Sequence, residues 1–216
     1  MSEGAENKPR PSWALGIPHE GMANGVLALN AFLWGILGLA TGSSEVRWAA
    51  VRVSISVIHF TVAWLFLNRA NLVRAGSFRD IAWALPSIVL SGLAFHGAPP
   101  PERWTNGPAG LFVAATVVVV TSLLVLGRNF AILPAVRGIT IHGTFRWVRH
   151  PVFAGELLLL LACVLAATNG QTVSAFVISI PMIVIRILVE ERLLSTQAEY
   201  QDYCRGTRWR LIPFVW

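Results

Sequence analysis

Six apolar stretches, each close to the length of a membrane-crossing helix, constrain the fold of this chain more than any other feature. Covering the hydrocarbon core takes about 20 apolar helical residues, and a helix satisfies its own backbone polar groups there. Charged residues make up only 13% of the chain, about half the fraction usual in soluble domains. The sequence therefore predicts an all-α, polytopic transmembrane helical bundle of about six spans. The stretches cover residues 22–41, 48–67, 81–97, 109–127, 152–168 and 171–189.

The basic residues predict how these spans are oriented. Of the 17 lysines and arginines, 13 lie in the N-terminal segment, in alternate connections and in the C-terminal tail, and two lie in the other connections. Basic residues accumulate on the cytoplasmic side of a membrane, so both termini are expected to be cytoplasmic. We attribute the net charge of +6 to contact with anionic membrane lipids, and nucleic acid is not an expected partner.

Polar residues suited to ligand binding concentrate in two segments, 127–156 and 186–213. The orientation places both segments on the cytoplasmic side, and a hairpin near Asn169-Gly170 predicts that they face each other. Three parts follow from this pattern: a cytoplasmic tail, a set of N-terminal transmembrane helices, and a core with loops, a helical hairpin and a tail. Their predicted bounds are residues 1–21, 22–125 and 126–216.

Arg149, His150 and Pro151 stand where the fifth span begins. Proline is favoured in the first turn of a helix, because its missing N–H costs no hydrogen bond there. One interpretation is an interfacial anchor, with the arginine reaching the lipid headgroups. The alternative is that the histidine holds part of a cofactor.

Acidic residues near the ends of the last two spans are a second group of candidates. Arg186 and Glu190 are four residues apart and share a helix face, and an intramembrane arginine usually faces the bundle interior. With Glu191 they indicate either a structural ion pair or a site for a zwitterion or cation. Glu156, just inside the fifth span, is either a helix N-terminal acid or a contact for a positively charged ligand.

The remaining polar candidates are aromatic or basic. Tyr200 and Tyr203 are the chain's two tyrosines and stand among polar residues of the tail. Arg52 and His59 share one face of the second span, where a proton path and a satisfied core histidine are both open. The histidine and cysteine spacings predict no metal site.

The ordered motifs of residues 126–214 resemble those of a known group, the isoprenylcysteine carboxyl methyltransferase-like family of integral membrane methyltransferases, related to the phospholipid N-methyltransferases. The family's first segment reads G-x-Y-R-x-x-R-H-P-x-Y-x-G, and its tail reads E-E-x-x-L, then E-Y-x-x-Y, then P. The matching residues are Gly127-x-Asn129-Phe130, Gly143-x-Phe145-Arg146-x-Val148-Arg149-His150-Pro151-x-Phe153-x-Gly155, Glu190-Glu191-x-x-Leu194, Glu199-Tyr200-x-x-Tyr203 and Arg210-x-Ile212-Pro213.

The resemblance implies that S-adenosyl-L-methionine is the methyl donor and that a lipid or small lipophilic acceptor enters from the bilayer. It places Arg186 where it would orient an acceptor carboxylate. If the acceptor is an amine, the chemistry of a carboxylate makes Glu156 or Glu191 a possible general base. The family's tyrosines are replaced by Phe145 and Phe153. The implied cofactor-binding residues are Asn129, Arg149, His150, Pro151, Phe153, Gly155, Glu190, Glu191, Tyr200 and Tyr203.

Two other functions stay open at this stage. Sterol-type membrane reductases have a similar Arg-His-Pro and tail pattern but bind NADPH. A small transporter would use Arg52, His59 and Arg186 as a polar path. With one lysine against sixteen arginines, the composition suggests a bacterial inner (plasma) membrane protein whose active site faces the cytoplasm.

Overall fold

Helices account for nearly all of the regular structure in residues 19–40 and 46–216, the part of the chain that the computed structural model describes. This confirms the predicted all-α polytopic bundle. The helices are α1 (His19–Ala40), α2 (Val46–Asn68), α3 (Phe78–Gly97), α4 (Asn106–Leu126), α5 (Pro151–Ala166), α6 (Gly170–Leu194) and α7 (Ala198–Gly206).

Five of these helices, α1 to α4 and α6, are long and apolar enough to cross a membrane. The fifth predicted span corresponds to α5, which has 16 residues and is therefore about 24 Å long. It is as apolar as its neighbours but shorter than a typical span. Pro86 and Pro181 lie inside α3 and α6.

The order in which the helices pack brings the two polar segments together. α1 lies against α2, α2 against α4, α4 against α5, and α3 against both α5 and α6. The hairpin between α5 and α6 is sharp because the Asn169 side chain accepts a hydrogen bond from the Thr172 backbone at 2.9 Å and so begins α6. The predicted juxtaposition of the two segments is confirmed, since Arg149 contacts Glu191 across this hairpin.

A loop of residues 127–150, which we call the capping loop, covers one end of the bundle. It begins where Gly127, with φ of 53°, ends α4. Two residues of it, Ala135–Val136 (β2), pair antiparallel with Arg74–Ala75 (β1) from the α2–α3 connection. The sequence did not predict this short ladder. We call this end of the bundle the loop end; its cytoplasmic orientation remains a prediction, and residues 1–18 lie outside the described part of the chain.

Candidate functional site

A cavity of about 520 Å³ opens at the loop end, enclosed by α2 to α7 and the capping loop. Its walls are largely apolar, with a small set of polar and charged side chains. Most of the residues singled out from the sequence line it. They are Asn129, Arg149, His150, Phe153, Glu156, Arg186, Glu190, Tyr200 and Tyr203.

Three other candidates lie beside the cavity and do not line it. Pro151 is the first residue of α5, as its ring geometry favours. Gly155 packs against α4 so closely that a Cβ atom there would lie 2.6 Å from Val119 Cγ2. Glu191 faces away from the cavity, because consecutive helical residues project about 100° apart.

Glu191 is the centre of a cluster of charges that joins α5, α6 and the tail. Its Oε1 accepts a hydrogen bond from Arg149 Nη1 at 2.8 Å and lies 3.3 Å from His150 Nε2. Its Oε2 accepts one from Arg210 Nε at 2.8 Å. With 11% of its side chain exposed, this carboxylate is well placed to fix Arg149 and His150 at the cavity wall.

Backbone hydrogen bonds reinforce this arrangement. The Arg149 and His150 amides donate to the carbonyl oxygens of Trp209 and Arg210 at 2.9 and 2.8 Å. The tail therefore lies alongside the segment that precedes α5. The Arg149 side chain also donates through Nη2 to the Arg208 carbonyl at 3.0 Å. The tail motif is therefore a structural support for the Arg-His-Pro segment.

Arg186, on α6, is held in place by several partners. Its Nη2 donates to the Ile132 carbonyl at 2.7 Å, which ties α6 to the capping loop. Its Nε lies 3.5 Å from Glu190 Oε1, as the spacing of four residues predicted. Its guanidinium lies 4.7 Å from the centre of the Phe153 ring, a cation–π distance. The side chain is 8% exposed, so this arginine is held in place by protein contacts.

Aromatic side chains line the same cavity as these charged residues. The rings of His150 and Phe153 are stacked, with centroids 5.8 Å apart and planes 21° apart. Tyr203 Oη donates to the Phe145 carbonyl at 2.6 Å, and the Tyr200 ring lies 5.8 Å from that of Tyr203. Burial raises the pKa of Tyr203 to about 12 and that of Tyr200 further, so both phenols are neutral near pH 7.

The capping loop contributes Asn129, whose Nδ2 donates to Thr140 Oγ1 at 3.0 Å. Gly138 leaves room for this side chain, since a Cβ atom there would lie 2.4 Å from Asn129 Oδ1. The apolar residues Phe130 and Ile132 from the same loop also line the cavity. The sequence analysis named Phe130 only as part of a matching motif and did not name Ile132, because apolar loop residues carry no signal that separates a cavity wall from ordinary packing.

Glu156 lies deeper in the bundle and faces α3. Its Oε1 is 2.5 Å from the Ser91 hydroxyl, and His59 of α2 lines the same part of the cavity. Sequence reasoning missed Ser91, since serines in apolar helices commonly bond only to their own backbone. Arg52, the other half of the suggested polar path, instead pairs with Glu102 at the opposite end of the bundle.

The described residues contain no group of three or more histidine, cysteine or acidic side chains arranged to hold a metal ion. Residues 111–205, which include α5, α6 and most of the cavity wall, match the profile of a family described as proteins of unknown function (DUF1295). A search of curated proteins gives no match. The fold and the five apolar helices support an integral membrane protein, and the cavity at its loop end is the candidate site.

Proposed function

We propose that this protein is an integral membrane methyltransferase that uses S-adenosyl-L-methionine and methylates a lipid or small lipophilic acceptor at the membrane interface. The observation that carries the proposal is a single cavity in which basic, acidic and aromatic side chains converge within apolar walls. Its volume of about 520 Å³ lies within the range typical of small-molecule and cofactor sites.

The residues present fit the charges of the proposed cofactor. Its ammonium group would meet Glu190, whose side chain is 22% exposed and lines the cavity. Its carboxylate would meet Arg149, which lines the same cavity. Its adenine would stack against the aromatic surface that includes Phe153 and Tyr200.

The charge balance of the cavity favours this cofactor over NADPH. The charged residues of the described chain that line it are two arginines, Arg149 and Arg186, and two glutamates, Glu156 and Glu190. These charges sum to zero. NADPH carries several negative charges and needs unpaired cations. S-adenosyl-L-methionine has two positive groups and one negative group.

The chemistry that the cofactor supplies is a methyl group on a positively charged sulfur, which is already activated for transfer. The chain must therefore bind and orient the two reactants and exclude water, and it has less need to activate either reactant. Holding two reactants in line can contribute roughly 7–11 kcal/mol to the rate. The ion pairs that fix Arg149 and Arg186, and the capping loop that covers the cavity, serve this positioning.

The test is calorimetric titration of the purified protein in mild detergent with S-adenosyl-L-methionine, S-adenosylhomocysteine and NADPH. We expect saturable binding of the first two, and Glu190→Gln should weaken it about tenfold or more through loss of a charged hydrogen bond. Glu199→Gln, at an exposed position of α7, makes the same charge change away from the cavity and should bind as the wild type does. Folded protein that binds neither methyl donor nor product contradicts the proposal, and selective NADPH binding would replace it with a reductase.

We further propose a bacterial inner-membrane location with the loop end in the cytoplasm. The support is the excess of basic residues in the connections and tail at that end. A periplasm-dependent reporter enzyme fused after Trp216 should be inactive in cells, whereas the same reporter inserted after Glu102 should be active. The reverse pattern would contradict this orientation.

A further inference from the structure

A second, smaller cavity of about 170 Å³ continues from the first into the bundle interior. The two share His59, Ser91 and Glu156, which form the polar boundary between them. Beyond that boundary the walls of the smaller cavity are apolar. We call it the inner chamber and define it by the residues that line it alone, which are Ile55, Phe95, Phe112, Leu160 and Cys163.

The inner chamber forms where helices such as α3 and α5 face each other with similar residue patterns. On α5, Glu156, Leu160 and Cys163 recur at spacings of four and seven residues, which places them on one helix face. On α3, Ser91 and Phe95 are four residues apart in the same way. Each stripe has its polar residue at the shared boundary and apolar residues beyond it, so the pattern is repeated on independent helices.

The two side chains at the boundary that are best able to meet a ligand are acceptors of hydrogen bonds. The His59 Nδ1 atom lies 2.7 Å from the Ile55 carbonyl oxygen. A carbonyl oxygen accepts only, so Nδ1 carries the proton and Nε2 is left as an acceptor in the neutral ring. Glu156, when ionised, also accepts only, and the Ser91 hydroxyl occupies one of its oxygens at 2.5 Å.

With Glu156 ionised, a ligand group that meets Glu156 or His59 Nε2 must donate a hydrogen bond. A carboxylate would place a second negative charge beside Glu156 with no donor to hold it. Arg186, an arginine of the larger cavity, is already bonded to the Ile132 carbonyl and paired with Glu190. The boundary therefore favours an acceptor with an N–H or O–H group over an acceptor with a carboxylate. The family resemblance leaves this choice open.

The volume of the inner chamber indicates which apolar group fits inside it. An engineered apolar cavity of roughly 150 Å³ holds benzene. The inner chamber is slightly larger, at about 170 Å³, and Cys163 at its far end is 2% exposed. It therefore suits one ring or a short branched alkyl group.

We propose that the methyl acceptor is a compact apolar molecule with one N–H or O–H nucleophile, whose apolar end occupies the inner chamber and whose proton is bonded to Glu156. This inference rests on the proposed function. The nucleophilic atom forms a bond to the methyl carbon while the carbon–sulfur bond breaks and leaves its electron pair on sulfur. The acceptor's proton passes to Glu156, so the sulfonium charge and the carboxylate charge disappear together.

The experiment compares 4-methylphenol, 4-methylbenzylamine and 4-methylbenzoate, which share one ring and differ in the polar group. Each is titrated by calorimetry into protein saturated with S-adenosylhomocysteine, and transfer is then followed with methyl-labelled S-adenosyl-L-methionine. We expect the phenol or the amine to bind and be methylated, and the benzoate to bind at least about tenfold more weakly. The comparison of phenol with amine identifies the nucleophile.

Variants then locate the binding. Cys163→Phe fills the inner chamber and should abolish binding of the preferred probe, and Cys163→Met fills less of it and should weaken binding where the larger substitution fails to fold. Leu158→Phe is the matched control, because Leu158 is on the same helix but 37% exposed. Glu156→Gln should abolish methylation while S-adenosylhomocysteine still binds, since glutamine cannot take the proton.

Several outcomes would overturn this inference. They are benzoate binding equal to that of the phenol and amine, binding of none of the probes, and unchanged binding in both folded Cys163 variants. Each is read only with S-adenosylhomocysteine bound, so it leaves the proposed function standing. Failure to bind S-adenosylhomocysteine at all would instead remove the proposed function and this inference with it.

Discussion

Glu190 and Glu191 are consecutive residues of α6, yet their carboxylates face different surroundings. Glu190 lines the cavity and lies 3.5 Å from Arg186 Nε, whereas Glu191 bonds to Arg149 and Arg210 outside it. The helical rotation of about 100° per residue is enough to separate them. We propose that the pair divides two tasks, ligand contact by Glu190 and support of the α5–tail junction by Glu191, which variants can separate.

Glu191→Gln is expected to lower the stability of the protein. It removes the charge that two arginines share, and breaking a buried ion pair by removing one partner costs on the order of 3 kcal/mol. We expect a clearly lower thermal midpoint in detergent for this variant. Glu190→Gln, the neighbouring control, should lose cofactor affinity with a much smaller change in that midpoint. Equal losses of stability in the two variants would contradict the separation of roles.

The two tyrosines give a prediction about pH. Burial raises the pKa of Tyr203 to about 12 and that of Tyr200 further, against about 10 in an unfolded chain. The folded state therefore keeps these protons while the unfolded state loses them. The contribution of the two tyrosines to the free energy of unfolding is therefore fully present below pH 10 and is lost as the pH rises from about 10 toward 12.

Absorbance near 295 nm, where tyrosinate absorbs, checks this directly, since the chain has two tyrosines. The signal should stay low until near pH 12 and then rise as the protein unfolds. Circular dichroism recorded alongside gives the folded fraction. Ionisation of both tyrosines near pH 10 in protein that is still folded would show that they are not buried as described.

The sequence predicted the helices well because apolar length is a local property. The bounds of α1, α2 and α4 differ from the predicted spans by a few residues at most ends. The sequence also predicted that the segments containing Arg149 and Glu190 face each other. It did not predict which of Glu190 and Glu191 faces the cavity, because this depends on the rotation of α6 about its axis, which its packing partners set.

The capping loop and Ser91 lay beyond the reach of sequence reasoning for different reasons. Residues 127–150 form little regular structure, and their course is fixed by distant backbone contacts such as that between the Gly76 amide and the Pro134 carbonyl, 2.8 Å apart. Ser91 is one of several serines in apolar helices. Only the approach of α3 to α5 distinguishes it, by bringing its hydroxyl to 2.5 Å from Glu156.

Gly155 is expected to resist substitution because of the contact between α4 and α5. In Gly155→Ala the new Cβ atom would lie 2.6 Å from Val119 Cγ2 and 3.2 Å from the Val119 backbone nitrogen. Valine is stiff at χ1, so the helices must separate. Overpacking of this kind costs about 1–3 kcal/mol.

The control is Gly110→Ala on α4, where a Cβ atom would meet nothing within 4 Å. Alanine favours a helix over glycine by about 0.5–1 kcal/mol, so this variant should be as stable as the wild type or slightly more so. Thermal unfolding in one detergent compares the two. A Gly155→Ala protein as stable as Gly110→Ala would show that α4 and α5 are less closely packed than the structure indicates.

Arg186→Lys keeps the positive charge near Glu190 but should still destabilise the loop end. The guanidinium bonds to the Ile132 carbonyl at 2.7 Å and lies 4.7 Å from the centre of the Phe153 ring. A lysine ammonium is a compact point charge that cannot keep this planar set of contacts. We expect a loss of about 1–3 kcal/mol, together with weaker cofactor binding, because Ile132 and Phe153 both line the cavity.

Arg192→Lys on the same helix is the matched control. Its side chain is 63% exposed and pairs with the buried Asp80, and because lysine keeps the positive charge of this pair at a largely exposed position, the substitution should cost little stability. Thermal midpoints and S-adenosylhomocysteine titrations of the two variants separate charge from geometry. If Arg186→Lys matches Arg192→Lys in both measurements, the positive charge alone is what the site requires, and the fork of contacts to the capping loop is dispensable.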